Sequence, residues 1–277
     1  MPAARRKALR AVRIHGRSKE AQLVGQLEGK VALVTGGGRG LGRAIALALA
    51  RHGADVIVNY FRNRAPAEET AAAVAALGRR AHVVKANVGD EDKVKAMFEE
   101  VREAFGGLDI LVSNAASGVL RPVEEIGARE WDWAMNINAR ALLLCANEAA
   151  KLMEPRGGGA IVSVTSIGST RVLPYYATVG VSKAALEAAT RYLAAAYARR
   201  GIVVNAVSPG AMDTDALKHF PNREEILRDS VARAPAGRLV TPEEIGEIVV
   251  FLCTPAARMI CGQTIVVDGG LSLLAFA

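Results

Sequence analysis

The sequence Val31-Ala-Leu-Val-Thr-Gly-Gly-Gly-Arg-Gly-Leu-Gly42 decides the fold. Its apolar start is typical of a buried strand, and the stretch Gly40–His52 has the apolar spacing of a helix. Glycine between a strand and a helix allows positive φ and a close backbone approach, while the free N–H groups and the dipole of the helix favour an anion. The stretch is therefore a candidate phosphate-binding turn that opens a βαβ unit.

Short apolar runs and helical stretches alternate along the rest of the chain. Runs bounded by glycine and separated by helices predict a parallel sheet that is covered on both faces. We expect strands at Val31–Thr35, Asp55–Asn59, His82–Lys85, Leu108–Ser113, Gly159–Thr165, Ile202–Val207 and Thr264–Val267. We expect helices at Gly40–His52, Ala67–Leu77, Glu91–Phe105, about Arg129–Met153 and about Ser182–Arg200.

The predicted fold class is α/β, with a single doubly wound Rossmann-type domain over residues 30–277 and helices on both faces of a parallel sheet. No linker or change of composition divides the chain after residue 30. The segment at about 212–238 interrupts the alternation. We expect this segment to be a helical excursion that covers the substrate.

The composition is that of a soluble globular protein, because 51% of the 277 residues are hydrophobic and 23% are charged. The net charge of +7 comes from residues 1–19, which hold seven basic and no acidic residues. The remaining 258 residues carry 28 basic and 28 acidic side chains, so we expect no nucleic-acid partner. We predict that residues 1–29 form a basic, flexible extension; a transit peptide or an upstream start codon are alternatives for its first 20 residues.

The cysteines, the histidines and the apolar runs give no evidence for a metal site or a membrane helix. The three cysteines and four histidines do not have the spacing of metal ligands, so we expect no metal. These residues are Cys145, Cys253, Cys261, His15, His52, His82 and His219. The longest apolar stretches are far shorter than the roughly 20 residues that span a bilayer, so we expect no membrane helix. Sparse cysteine fits a reducing cytoplasm.

The end of the second predicted strand bears on the choice of dinucleotide. A carboxylate at this point accepts hydrogen bonds from the ribose 2′-OH of NAD and repels the 2′-phosphate of NADP. This chain has Asn59 and Tyr60 there, while Arg39 and Arg62 supply guanidinium groups suited to a phosphate. The sequence therefore predicts NADPH, although Arg62 could equally be a solvated loop residue.

Two further polar segments follow predicted strands. Asn87-Val88 comes after the third strand and Asn114 after the fourth, at the carboxyl ends where parallel sheets bind ligands. Asn114 could instead serve only to tie neighbouring strands together.

The glycine spacing Gly36-x-x-x-Gly40-x-Gly42 resembles that of the short-chain dehydrogenase/reductase superfamily. Most members carry a Tyr-x-x-x-Lys pair, but here Val179 stands four residues before Lys183. Tyr176 stands seven before it, which is the spacing of the enoyl-thioester reductase branch. A hydroxyl aimed at the thioester oxygen would stabilise the enolate that forms when a conjugated double bond accepts hydride.

Longer stretches resemble bacterial enoyl-acyl-carrier-protein reductase III over residues 30–274. They are Val84–Gly89, Asn114–Pro122, Trp131–Trp133, Thr178–Leu186 and Asp213–Arg223. The resemblance implies NADPH-dependent reduction of the C2=C3 bond of a trans-2-enoyl thioester in fatty-acid elongation. It also implies an acyl-carrier-protein or coenzyme A thioester as substrate, and a homodimer or homotetramer. The helix Ala184–Arg199 could bury one face against a partner subunit, or it simply packs against its own sheet.

Carried over by position, Tyr176 would stabilise the enolate and Lys183 would bind the nicotinamide ribose and support the tyrosine. Ser166 occupies the place of the catalytic serine, with an open role because the tyrosine has moved. Asn138 matches the asparagine that props the lysine through water, or else it is a buried polar residue satisfied by backbone. The cofactor-binding set is Gly36, Gly38, Arg39, Gly40, Leu41, Gly42, Arg62, Asn87, Val88, Asn114, Lys183, Pro209, Gly210 and Thr214.

The covering segment offers both apolar and basic side chains. Ala216, Leu217 and Phe220 would contact an acyl chain. Lys218, Arg223 and Arg228 would attract an acidic carrier protein, or they are ordinary solvated charges. Two other functions stay open: a carbonyl reductase that uses Tyr176 or Tyr175 as proton donor, and a protein that binds NADPH without turnover.

Overall fold

The computed structural model describes residues 25–214, 217–220 and 222–273. Within these ranges, seven parallel strands form one sheet in the order β3-β2-β1-β4-β5-β6-β7. The strands are β1 Val31–Val34, β2 Asp55–Tyr60, β3 Ala81–Lys85, β4 Ile110–Ser113, β5 Gly159–Val164, β6 Ile202–Pro209 and β7 Thr264–Val267. The strand order reverses between β1 and β4, which places the ligand crevice of a doubly wound sheet at their carboxyl ends.

Eight α-helices in the described ranges cover this sheet. They are α1 Gly40–Arg51, α2 Arg64–Ala76, α3 Glu91–Phe105, α4 Ala128–Met135, α5 Ala141–Met153, α6 Ala177–Tyr197, α7 Arg223–Arg233 and α8 Pro242–Leu252. None of the helices in the described ranges is long and apolar enough to cross a lipid bilayer.

Two apolar cores lie on opposite faces of the sheet. Val31 and Leu33 of β1 pack into the core built with α3, α5 and α6. Their neighbours Ala32 and Val34 pack into the core built with α1, α2 and α8. Side chains along a strand point alternately to its two faces, so a strand that is apolar at every position serves both cores. The predicted fold class, a doubly wound α/β domain, is confirmed.

The helices differ most from prediction at three places. The expected helix at about Arg129–Met153 is divided into α4 and α5 by a π-helical turn, Asn136–Arg140. Helix α6 begins at Ala177, five residues before its predicted start. Helix α8 was not predicted, although the hydrogen bonds between Thr241 and Glu244 form a capping box around Pro242, which is a helix-start signal legible in the sequence.

The predicted extension at residues 1–29 is described only from Gly25 onward. Leu27 is 1% exposed within the core of α1 and α8, and its N–H donates to His52 O at 2.8 Å. Leu27 therefore anchors the end of the predicted extension to the fold, while Gly25, Gln26, Glu28 and Gly29 are exposed. In the covering segment predicted at about 212–238, α7 is helical, while residues 215, 216 and 221 lie outside the described ranges.

The buried carboxylate of Asp109, directly before β4, joins three parts of the chain. It accepts hydrogen bonds from Val31 N at 2.9 Å, Lys30 Nζ at 3.1 Å and Arg156 Nη2 at 2.7 Å. Burial alone would raise the pKa of Asp109, but the donors from Arg156, Val31 and Lys30 outweigh it and hold the pKa below its ordinary 3.8. The charged form is thus the one that the fold stabilises.

Asp109→Asn should lower the free energy of unfolding by about 2–4 kcal/mol at pH 7, because two cations and a backbone N–H lose their anionic partner. A depressed pKa contributes stability above the unfolded-state value of 3.8, and this contribution is lost as the pH falls through the lower folded-state value. Urea unfolding at pH 7 and pH 3 should therefore show a large gap from wild type that narrows in acid.

Asp132→Asn is the matched control, because Asp132 is an exposed helix residue. Its free energy of unfolding should stay within about 0.5 kcal/mol of wild type. A pH-independent effect of Asp109→Asn would contradict the electrostatic account of this residue.

Candidate active site

The glycine loop after β1 is packed too closely for side chains at two positions. Gly36 has φ +63°, and a Cβ there would lie 3.1 Å from Ala115 Cα. A Cβ on Gly42 would overlap the carbonyl oxygen of Gly36. These contacts bring the start of α1 against the end of β4, as the predicted dinucleotide turn requires.

The N-terminus of α1 is free to receive an anion. Arg39 occupies the N-cap position without a capping side-chain hydrogen bond, and the first turn of α1 contains no acid. In contrast, the side chain of Asp90 caps α3. Arg39 and Gly40 are exposed, and a Cβ on Gly40 would meet only open space. The loop therefore fits the pyrophosphate of a dinucleotide, with N–H donors and a positive helix dipole.

Asn59, at the end of β2, turns its side chain inward. Its Oδ1 accepts from Gly36 N at 3.3 Å and its Nδ2 donates to Ala86 O at 3.2 Å. Asn59 therefore holds the glycine loop against the end of β3, a role that the sequence argument did not foresee. Beyond it Arg62 is exposed, with its guanidinium 5.9 Å from the centre of the Phe61 ring.

Asn87, Val88 and Asn114 lie at the carboxyl ends of β3 and β4, as predicted. Asn87 Oδ1 accepts from Gly89 N at 3.1 Å, and Val88 is buried in the core. Asn114 Nδ2 donates to Thr35 O at 2.9 Å and to Gly36 O at 3.2 Å. Its amide thus ties β4 to the glycine loop, which is the structural alternative that we considered for this residue.

Tyr176 immediately precedes α6, and its hydroxyl faces the side chain of Ser166, which acts to lower the pKa of the phenol. Burial raises the pKa of Tyr176, so the phenol stays protonated at neutral pH and can donate a hydrogen bond. Its ring packs against Phe220, with centroids 5.7 Å apart, and a Cβ on Gly168 would lie only 2.6 Å from Tyr176 Cε1. Ser166 Oγ also accepts from Gly168 N at 3.1 Å, so this short turn holds both hydroxyls.

The residue before Tyr176 has a strained backbone. Tyr175 has φ +64°, the one positive φ among the non-glycine residues that the structure describes. A bulky residue in this region costs on the order of 1–3 kcal/mol and persists only where its surroundings enforce it. Here the carbonyl of Tyr175 accepts from Arg121 N at 3.1 Å. The segment that carries Tyr176 is thus bound to the loop after β4.

Val179, where most of the superfamily has its tyrosine, is buried against Gly118. It provides no hydroxyl. Lys183, one turn further along α6, is 4% exposed, and its Nζ donates to Val164 O at 2.7 Å. Burial lowers the pKa of Lys183 from 10.5 to about 8, while the negative charge of Glu187 acts in the opposite direction.

Asn138 lies buried in the π-helical turn between α4 and α5. Its Oδ1 accepts from Ser117 N at 2.8 Å, and its Nδ2 donates at 2.8 Å to both Ser117 O and Ser182 Oγ. Both ends of the amide are therefore satisfied by protein, as in the alternative that sequence reasoning left open. Asn138 reaches α6 at Ser182, the residue before Lys183.

The residues that cover the site follow β6 in the chain. Pro209 ends that strand, and a Cβ on Gly210 would lie 2.8 Å from Asp268 Cβ. Thr214 N donates to Met212 O at 2.9 Å, and Thr214 helps to line a cavity of about 300 Å³ at the start of α1. This cavity is also lined by Gly40, Arg43, Ala44, Leu47, Asp213, Pro242 and Glu243.

Only some of the basic and apolar residues predicted in the covering segment lie near the site. Phe220 contacts the ring of Tyr176, whereas Ala216 lies outside the described residues. Arg223 Nη2 pairs with Asp213 Oδ1 at 2.6 Å, a contact across the segment that the sequence did not indicate. Within the described ranges, no group of three or more His, Cys, Asp or Glu could hold a metal ion.

Comparison with known proteins agrees with this geometry. The family model described as enoyl-(acyl carrier protein) reductase matches residues 36–272. The 1-cyclohexenylcarbonyl-CoA reductase of Streptomyces collinus is 42% identical over 89% of this chain and 88% of its own length. The hydroxynaphthalene reductase-like protein Arp2 of Metarhizium majus is 40% identical over 88% of this chain and 95% of its own.

Solved structures give the same result. A short-chain dehydrogenase of Burkholderia cenocepacia in complex with NADP has a TM-score of 0.81 and 37% identity, covering 89% of this chain and 99% of that one. A variant of the Serratia marcescens short-chain dehydrogenase/reductase has a TM-score of 0.83 and 35% identity over the same shares. The chain belongs to the short-chain dehydrogenase/reductase superfamily, as its glycine loop predicted, and is an oxidoreductase that works with a nicotinamide cofactor.

Proposed function

We propose that the protein uses NADPH to reduce the C2=C3 double bond of a trans-2-enoyl thioester. The observation that carries this proposal is the placement of Tyr176: its hydroxyl faces Ser166, while the usual tyrosine position holds the buried Val179. The hydroxyl is thus displaced along α6 by three residues from the position that serves carbonyl reduction. Such a displacement suits an enoyl thioester, in which charge develops on an oxygen that is separated by two carbon atoms, C2 and C1, from the C3 that accepts hydride.

The residues of the site would divide the chemistry as follows. Bound NADPH would supply the hydride that adds to C3, and a proton from solvent would complete the product at C2. The Tyr176 O–H would donate to the thioester oxygen, where the enolate charge develops. The Ser166 hydroxyl would orient that phenol, and the buried ammonium of Lys183 would add positive charge beside the nicotinamide ribose.

The relatives support a thioester substrate. The Streptomyces collinus protein is by its name a reductase of a conjugated coenzyme A thioester, and the matching family model is described as enoyl-(acyl carrier protein) reductase. We therefore propose an enoyl thioester of either carrier, with fatty-acid elongation in the cytoplasm as its setting. Phe220, which packs beside the Tyr176 ring, would contact the acyl chain.

NADPH is favoured over NADH by the end of β2. The residue at this position is Asn59, whose side-chain amide bonds within the fold. No carboxylate is therefore present there to repel a 2′-phosphate. Arg39 and Arg62 are both exposed at this edge of the sheet, and the Burkholderia cenocepacia relative was solved with NADP.

A carbonyl reductase is the second candidate. The hydroxynaphthalene reductase-like relatives favour it, and the half-exposed Tyr175 offers a second hydroxyl next to Tyr176.

We also propose a homodimer or homotetramer that forms through α6. Two exposed residues of α6, Val181 and Tyr192, support this assembly, since Tyr192 leaves 81% of its surface in solvent.

Tyr176→Phe should lower kcat/KM for crotonyl thioester about 100-fold or more, because one donor to the developing oxyanion is lost. The dissociation constant of NADPH, measured by fluorescence, should stay within about twofold of wild type. Tyr197→Phe is the control and should leave both quantities unchanged, because Tyr197 lies at the opposite end of α6 from Tyr176 and its hydroxyl donates to Asn147. Retention of most of the wild-type rate by Tyr176→Phe would remove the proposed role.

Crotonyl and acetoacetyl thioesters, each on coenzyme A and on acyl-carrier protein, should separate the two candidate reactions. We expect NADPH oxidation with the crotonyl substrates at a kcat/KM at least 10-fold above that with the acetoacetyl substrates. The opposite ranking would establish the carbonyl reductase, and equal rates on both carriers would show that the carrier is not recognised.

Replacing Arg39 and Arg62 together by Ala should raise the KM for NADPH about 10-fold or more, because charge-assisted hydrogen bonds to a phosphate contribute about 1.5–3 kcal/mol each. The KM for NADH should barely change, since NADH lacks the 2′-phosphate. Arg199→Ala, at an exposed position after α6, controls for net charge. A wild-type preference for NADH would refute the assignment of the cofactor.

A further inference from the structure

Three polar contacts join the end of β5 to one face of α6. Ser163 Oγ lies 3.0 Å from Thr190 Oγ1. Thr165 Oγ1 donates to Glu187 Oε1 at 2.7 Å. Lys183 Nζ donates to Val164 O at 2.7 Å. We call these three contacts the β5–α6 seam.

The seam follows from the periods of its two elements. Lys183, Glu187 and Thr190 are spaced i, i+4 and i+7, so they form one stripe along α6. Ser163 and Thr165 are two residues apart and therefore project from the same face of the strand. Next to the stripe, Leu186 and Leu193 are buried in the core of α3 and α5. The seam is thus a polar line beside an apolar core, and it sets the position of α6 along β5.

Glu187 is the central member of the seam and the only acidic residue of α6. The Thr165 hydroxyl holds its carboxylate one helical turn from Lys183. Thr165 is itself followed by Ser166, whose side chain faces the hydroxyl of Tyr176. A single carboxylate therefore acts on the segment that orients the tyrosine and on the charge of the lysine.

The other groups around Lys183 are neutral. Val164 contributes a carbonyl from β5, and Ser182 links α6 to the amide of Asn138 in the π-helical turn. The phenol of Tyr176, just before α6, has its pKa raised by burial and carries no charge at neutral pH. Among the described residues, Glu187 is the one whose charge acts on Lys183, favouring its ammonium form against the cost of burial.

We propose that Glu187 is a positioning residue of the reductase, which places a carboxylate one helical turn from Lys183 and, through Thr165, holds the end of β5 in register with α6. This inference rests on the proposed function, because the reaction step that Glu187 assists is the reduction proposed above. The effect of Glu187 on Lys183, in contrast, requires no substrate. Glu187 does not contact the reacting atoms; it acts through Lys183 and Thr165.

Glu187→Gln isolates the charge, because the amide oxygen can still accept from Thr165. The pKa of Lys183 in the cofactor-free protein should fall by about 1, the effect of losing one nearby opposite charge. It can be followed through the Lys183 ¹³Cε chemical shift from pH 6 to pH 10, with the resonance assigned by its absence in Lys183→Met. Glu148→Gln, which removes a carboxylate from α5 that pairs with Lys151, should leave the titration unchanged.

The kinetic consequence is a pH-dependent defect. Because Lys183 titrates near pH 8, a fall of 1 in its pKa leaves the ammonium form intact at pH 6 in both proteins. The ratio of wild-type to Glu187→Gln kcat/KM should therefore be close to 1 at pH 6 and about 10 at pH 9. A role confined to packing would give a ratio independent of pH and would leave the Lys183 titration in place, and either result overturns the proposal.

Thr165 supplies a second, independent pair of variants. Thr165→Val releases the carboxylate and should shift the Lys183 titration in the same direction, whereas Thr165→Ser keeps the hydroxyl and should restore the wild-type curve. Identical titrations of these two proteins and wild type would also overturn the proposal. If wild type fails to reduce any enoyl thioester, the proposed function falls, while the cofactor-free titration still decides what Glu187 does.

Discussion

The arrangement of the whole site depends on the close contact between the glycine loop and the end of β4. The absence of side chains at Gly36 and Gly42 lets α1 start directly against Asn114 and Ala115. Thr35 Oγ1 accepts from the N–H groups of both Asn114 and Ala115, and the Asn114 amide returns two hydrogen bonds to the loop. This junction lies where the strand order reverses, so the same contacts that close the sheet shape the crevice for a dinucleotide. A methyl group on Gly42 would disrupt the fold and the cofactor site together.

The reacting side of the molecule is built on a different pair of elements. Helix α6 carries Lys183, while Tyr176 lies at its very start, and the end of β5 supplies Ser166. Relative motion of β5 and α6 would change every distance in the site. The polar contacts between them explain how a tyrosine displaced by almost one helical turn is still held in place. The Ser166 that it faces directly follows the strand end, and the strand end is bound to α6 at three points.

The strands, the glycine loop and α3 could be predicted because their signals are local. Asp90 marks the start of α3 and Gly106, in a left-handed conformation, marks its end. The start of α6 was placed too late, since Thr178, Val179 and Gly180 are poor helix formers that tertiary packing holds in the helix. The roles of Asn59, Asn138 and Glu187 depend on partners from other elements. The sequence shows such residues as polar side chains but does not show what they bind, so Asn59 could be noted only for not being an acid.

The buried carboxylate of Asp109 has a consequence for how the chain assembles. Its partners Lys30 and Arg156 lie 79 and 47 residues away along the chain. In a chain synthesised from its N-terminus, β4 can pair with β1 before Arg156 has left the ribosome, and Asp109 then lacks its strongest donor. The centre of the sheet therefore becomes fully stable only when β5 arrives, and such nonlocal pairing is slow. Until that point the unpaired edge of β4 is open to misassociation, the interval in which a nascent parallel sheet most needs protection.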